Sequence, residues 1–117
     1  MHGPFAGSRA RRRSELRIQT ARVGTRTELS LAGELDLISA PQLESELIAV
    51  ESSDAGELLI DLEEVQFIDS TGLRSLLGAT KRANETGQKL LVRHVRGQAR
   101  RLFEIAGVTE QFSFEDD

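Results

Sequence analysis

Apolar and polar residues alternate along the first third of this chain and then change period. Over 16–21 ("LRIQTA") and 27–32 ("TELSLA") the two-residue alternation predicts a pair of short strands, with the turn across 23–26 around Gly24 closing a hairpin. "SAPQLESELIAVESS" switches to helical spacing. Ser39 offers a cap and Pro41 suits the first turn, where its missing N–H costs nothing. Leu43, Leu47 and Val50 form its inward stripe; Glu44, Glu46 and Glu51 form an acidic outer face. "ELLIDL" is a continuous apolar run between charges, as expected of a strand covered on both faces.

From Thr71 the period is helical again. Leu73, Leu76, Leu77, Thr80 and Ala83 face inward, while Arg74, Ser75, Gly78, Lys81 and Arg82 face outward. Gly87 in "NETGQ" is placed to end that helix in a left-handed cap. "KLLVRHV" predicts a buried strand. "GQARRLFEIAGV" predicts a helix with Ala99, Leu102, Phe103 and Ala106 on one face and Gly107 as its stop; "EQFSF" can close as a short edge strand. Strands alternating with helices after a hairpin predict a single α/β domain with a mixed, largely parallel β-sheet and packed helices.

Composition narrows the chemistry. Among 117 residues there is no cysteine, which excludes disulfides and thiol nucleophiles, and two histidines are poor material for a metal site. Residues 1–13 carry Arg9, Arg11, Arg12 and Arg13 and no acid, leaving 11 basic against 19 acidic residues beyond them. A basic, disordered tail at 1–13 and one domain at 14–117 are therefore expected. An acidic body without Tyr or Trp argues against direct nucleic-acid binding, and no segment is apolar enough for a signal peptide or a membrane span.

Candidate chemistry concentrates in "VQFIDSTGLRSLL", residues 65–77, where Asp69, Ser70, Thr71 and Gly72 separate an apolar run from a helix. Any of the three polar residues could cap the helix, yet a cap needs one of them, and a first-turn glycine costs up to ~1 kcal/mol relative to alanine. Catalytic readings fare poorly. An extra residue parts Asp69 from Gly72 relative to an aspartic-protease signature. A Ser70–His94–Asp triad would require His94 beside Ser70, and no phosphate-binding glycine loop occurs. The remaining reading makes the hydroxyl a substrate, presented at a strand-to-helix junction where phosphorylation would add about −1.5 to −2 charges and alter a binding surface.

"AGELDLISAPQL", then "VQFIDSTGLRSLL", then "RRLFEIAGV", in this order and spacing, resemble the STAS domain, most of all the stand-alone bacterial anti-sigma factor antagonists. The resemblance implies a cytoplasmic regulatory module, not an enzyme, that needs no cofactor and no metal. It implies that Ser70 is phosphorylated by an anti-sigma factor serine kinase of histidine-kinase-like ATPase fold, that phosphorylation abolishes binding, and that a PP2C-type phosphatase restores it. Asp36, Asp69, Thr71 and Gly72 match the partner surface around Ser70. Arg74 departs from the small or apolar residue common there and, with Lys81 and Arg82, suggests partner selectivity. Two other readings stay open: a scaffolding STAS module without a phosphorylation cycle, and a nucleotide or small-ligand sensor.

Overall fold

The computed structural model describes residues 15–53 and 56–115, so the basic tail expected at 1–13 lies outside the described residues. Among the described residues, five strands and three α-helices follow one another as β1 (Leu16–Val23), β2 (Arg26–Leu35), α1 (Ala40–Glu51), β3 (Glu57–Ile68), α2 (Ser70–Thr86), β4 (Lys89–Arg93), α3 (Gly97–Ala106) and β5 (Phe114–Glu115), with a 3-10 turn at Thr109–Gln111 before β5. The sheet order is sequential, β1-β2-β3-β4-β5. β1 and β2 pair antiparallel with Val23 opposite Arg26, and every later pair is parallel. This is the mixed, mainly parallel sheet that the alternation of elements predicts.

Strand alternation divides the apolar side chains. Leu29, Leu31, Leu58, Ile60, Leu62, Leu90 and Val92 face the helices and join Leu43, Leu47, Leu73, Leu76, Ala79 and Phe103 in one core. At roughly 1.5–3 kcal/mol for each large side chain fully removed from water, this core supplies the main drive for folding. Leu59 and Leu91 lie outside that cluster, yet both are buried. On their face of the strands stands an ion network in which Arg26 pairs with Glu57 and Glu115, and Arg93 pairs with Asp61 and Glu115. Long charged side chains can cover apolar surface with their stems, which suits a sheet face flanked by charge.

Several elements differ from the sequence reading. β2 reaches Leu35 and β3 reaches Ile68, because shifts in register between Ser30 and Ala32 and between Gly33 and Glu34 let the pair continue past the simple alternation. β4 stops at Arg93, since His94 takes a left-handed φ of 64° that a strand cannot accommodate. Ala106, expected on the inward face of α3, is exposed at the helix end, where the chain turns through Gly107.

Candidate functional site

The carboxyl ends of β2 and β3 carry the predicted site. β3 ends at Ile68, whose N–H donates to the side-chain oxygen of Gln98 at 3.0 Å and whose carbonyl accepts from the Gln98 amide at 2.8 Å. By then β4 has diverged, its register with β3 ending at Asp61 opposite Arg93. One α3 side chain thus supplies the two bonds that a neighbouring strand would have made. Nothing in the sequence marks Gln98 for this, since the pair is 30 residues apart.

Asp69 is the N-cap of α2, with extended backbone, and both of its carboxylate oxygens are engaged. Oδ1 accepts from the Gly72 N–H at 2.9 Å, and Oδ2 accepts from the Leu37 N–H at 3.1 Å. Its own N–H donates to the Leu35 carbonyl at 3.2 Å. Gly72 is buried against that same residue. A Cβ added there would run into the Leu35 carbonyl oxygen and stand 2.8 Å from Leu35 Cγ. A short-range clash with backbone cannot be relieved by a rotamer change, so the first turn of α2 can sit this close to β2 only with glycine. Asp69 and Gly72 therefore have structural work: they pull the helix start onto the end of the sheet.

Asp36 organises the turn on the other side. Its Oδ1 accepts from the N–H groups of Ile38 and Ser39, each at 3.1 Å. Ser39, expected to cap α1 with its side chain, does not. Its hydroxyl donates to the Glu34 carbonyl at 2.7 Å and accepts from the Asp36 N–H at 3.0 Å, so it faces back into the turn. The bonds from Leu37 and Ile38 to the two aspartates place Asp36 and Asp69 on either side of one short loop. That loop exposes Leu37 at 68% and Ile38 at 57%. Two large apolar side chains held in water beside a polar junction are candidate contact residues. The sequence offered only a faint sign of them, as apolar residues just ahead of a helix that can also serve as a staple.

With Asp69 and Gly72 consumed, the hydroxyls remain. Ser70 is the first residue of α2 and is exposed, and among the described residues its side chain has no hydrogen-bond partner; Thr71 is half-buried. Of the other predicted outward residues, Arg74 and Lys81 are exposed. Ser75 is not: it is buried and donates to Glu44 at 2.8 Å. Arg82 makes a two-pronged contact with Glu51 at 2.9 and 3.0 Å, which raises its pKa chiefly through that hydrogen bond. The acidic face of α1 and the basic face of α2 are thus partly spent on each other, because the two helices pack side by side. Of the three cations proposed for selectivity, Arg74 and Lys81 are left to solvent.

His94 does not approach this junction. Its Nδ1 donates to Asp61 Oδ1 at 2.8 Å, and seven residues of extended strand, about 20 Å, separate Asp61 from Ile68. The Ser70–His94 triad is excluded by that distance. Burial pushes the Asp61 carboxyl up, but hydrogen bonds from His94, the Glu63 N–H and Arg93 outweigh it and hold it below the usual 3.8. Asp61, Glu63 and His94 bring potential ligand atoms within 4.8 Å of one another, but Asp61 already serves His94 and Arg93. A polar groove of about 450 Å³ lined by Arg17, Gln19, Ser30, Asp61, Glu63 and Glu64 lies on this face of the sheet. None of its lining residues belongs to the Ser70 junction.

Residues 18–113 match the family described as Mlab, STAS domain. The chain belongs to the STAS domain family. Its relatives within that family include anti-sigma factor antagonists. The anti-sigma-B factor antagonist of Staphylococcus aureus is 33% identical over 95 residues, 81% of this chain and 88% of that one. The solved anti-sigma factor antagonist from Mycobacterium paratuberculosis overlays with a TM-score of 0.79 at 25% identity, covering 86% of each chain. The fold is shared as well with the Bacillus cell fate determinant SpoIIAA in its phosphorylated form, at a TM-score of 0.68 and 19% identity over 86% of this chain and 91% of that one. Among the described residues no helix is long and apolar enough to cross a membrane.

Proposed function

We propose that this chain is an anti-sigma factor antagonist whose binding is switched at Ser70. The unphosphorylated form binds an anti-sigma factor that is also a serine kinase, and so releases a sigma factor. Ser70 Oγ then attacks the γ-phosphorus of ATP held by that kinase. The new O–P bond forms as the bond to ADP breaks, and the hydroxyl proton leaves to solvent or a base. A PP2C-type phosphatase returns the hydroxyl by hydrolysis.

One observation carries the reading: Ser70 is presented to solvent by a junction whose neighbours Asp69 and Gly72 are fully used in holding it there. Its exposure favours it over half-buried Thr71 as the acceptor. Leu37 and Ile38 supply an apolar surface beside it that a partner would desolvate. A dianion placed against such a contact costs several kcal/mol, and each 1.4 kcal/mol is tenfold in affinity. Asp36 and Asp69 oppose the same charge within the free protein, a separate cost that does not itself weaken partner binding. Unit charges ~6 Å apart at an effective dielectric of ~20 repel by about 3 kcal/mol before solvent screening.

Incubation with the anti-sigma factor kinase and Mg-ATP, followed by peptide mass spectrometry, tests the reading. It predicts a single phosphate on Ser70, lost in Ser70→Ala. A stable complex in which neither Ser70 nor Thr71 is ever phosphorylated would instead favour a scaffolding role.

A further inference from the structure

Arg74 lies four residues after Ser70 on α2, so the two side chains share one face of the helix a single turn apart. It is exposed and, among the described residues, makes no hydrogen bond or ion pair. This contrasts with Arg26, Arg82, Arg93 and Arg100, each of which is bonded to a carboxylate. The acid-before-base order at a four-residue separation is the favourable one on a helix. Here the acid would exist only after modification.

We propose that Arg74 is the in-cis partner of phosphorylated Ser70, a positioning residue that lays the phosphoryl group along α2. The inference rests on the Ser70 reading and adds a residue to it. A phosphoseryl group at the first position of the helix faces three sets of charges. The helix N-terminus favours it. Asp36 and Asp69 oppose it from the loop and the cap. Arg74 answers from one turn along, where a planar guanidinium can meet two phosphate oxygens at once.

The consequence is a phosphorylated state that keeps α2 folded despite the two carboxylates. The partner then meets an ordered dianion on an intact helix, not a frayed one. Binding is switched by charge and shape, without local unfolding.

Phosphoserine installed at position 70 during synthesis tests this without any kinase, so the outcome does not depend on which enzyme modifies the protein. The second ionisation of the phosphate, followed by ³¹P NMR, is expected to lie lower with Arg74 than with Arg74→Gln, by about half a pH unit. Arg74→Lys should recover part of that shift. Melting of the unphosphorylated Arg74→Gln protein should match that of the unsubstituted one, while its phosphorylated form should melt below the phosphorylated parent. Identical phosphate titrations for the parent and Arg74→Gln would overturn the assignment.

Discussion

Gly72→Ala separates two physical accounts of the junction by the sign of its effect. If Gly72 were an ordinary helix residue, alanine would stabilise α2 by up to ~1 kcal/mol through propensity alone. The close approach to Leu35 predicts the opposite. The added Cβ meets a backbone carbonyl and Leu35 Cγ at 2.8 Å, well inside normal contact. Relief requires α2 to retreat by several tenths of an ångström from the end of β2. That retreat stretches the Asp69 N–H to Leu35 bond, already 3.2 Å, and loosens the cap on Gly72. Overpacking of this kind costs about 1–3 kcal/mol, and a weakened hydrogen bond about 1 more. After the propensity gain, a net destabilisation of about 1–3 kcal/mol is expected, a fall in Tm of about 4–12 °C for a domain of this size. Urea unfolding followed by circular dichroism reads the midpoint directly. A midpoint equal to or above that of the parent would refute the close-packing argument and with it the account of how Ser70 is positioned.

Other substitutions probe the remaining supports. Asp69→Ala removes the acceptor for Gly72 and Leu37 together and should cost about 1–2 kcal/mol in urea unfolding, with faster amide exchange at both of those N–H groups; unchanged exchange at Leu37 would show that the loop does not depend on the cap. Gln98→Leu leaves the Ile68 N–H and carbonyl without partners and should destabilise by about 1–3 kcal/mol, while speeding exchange at Ile68 above any change at Leu58. The acid limb of stability should report Asp61. Its folded carboxyl titrates below the ordinary 3.8, so its contribution is present above that value and is lost as pH falls through the folded pKa. The stability of Asp61→Asn should accordingly depend less on pH below about 4, and equal slopes for the two proteins in that window would contradict the network seen around Asp61.

The fold was legible because period alone carries most of it. Two-residue alternation before Gly33, a continuous run at "ELLIDL" and helical spacing from Thr71 each have one favoured structure, and their order admits few sheets. What escaped were features set by contacts between distant residues. Ser75 looks like a surface serine at its helical position, and only the packing of α1 against α2 brings Glu44 to it and buries it. Ser39 has the right identity and place for a cap, but Asp36 three residues earlier captures the turn first. The junction holds more polar residues than a cap requires; geometry divides the labour, with Asp69 capping, Gly72 allowing approach and Ser70 left facing water. Leu37 and Ile38 were only faintly marked and Gln98 not at all, since exposure of an apolar residue and a side chain's reach across 30 positions leave little or no local pattern.

The central claim is that charge on one exposed seryl oxygen decides whether a partner binds. Titration calorimetry of the anti-sigma factor against this protein, with either serine or phosphoserine at position 70, measures it directly. A loss of at least about 100-fold in affinity on phosphorylation is expected, corresponding to roughly 3 kcal/mol or more. Equal dissociation constants for the two forms would contradict the account.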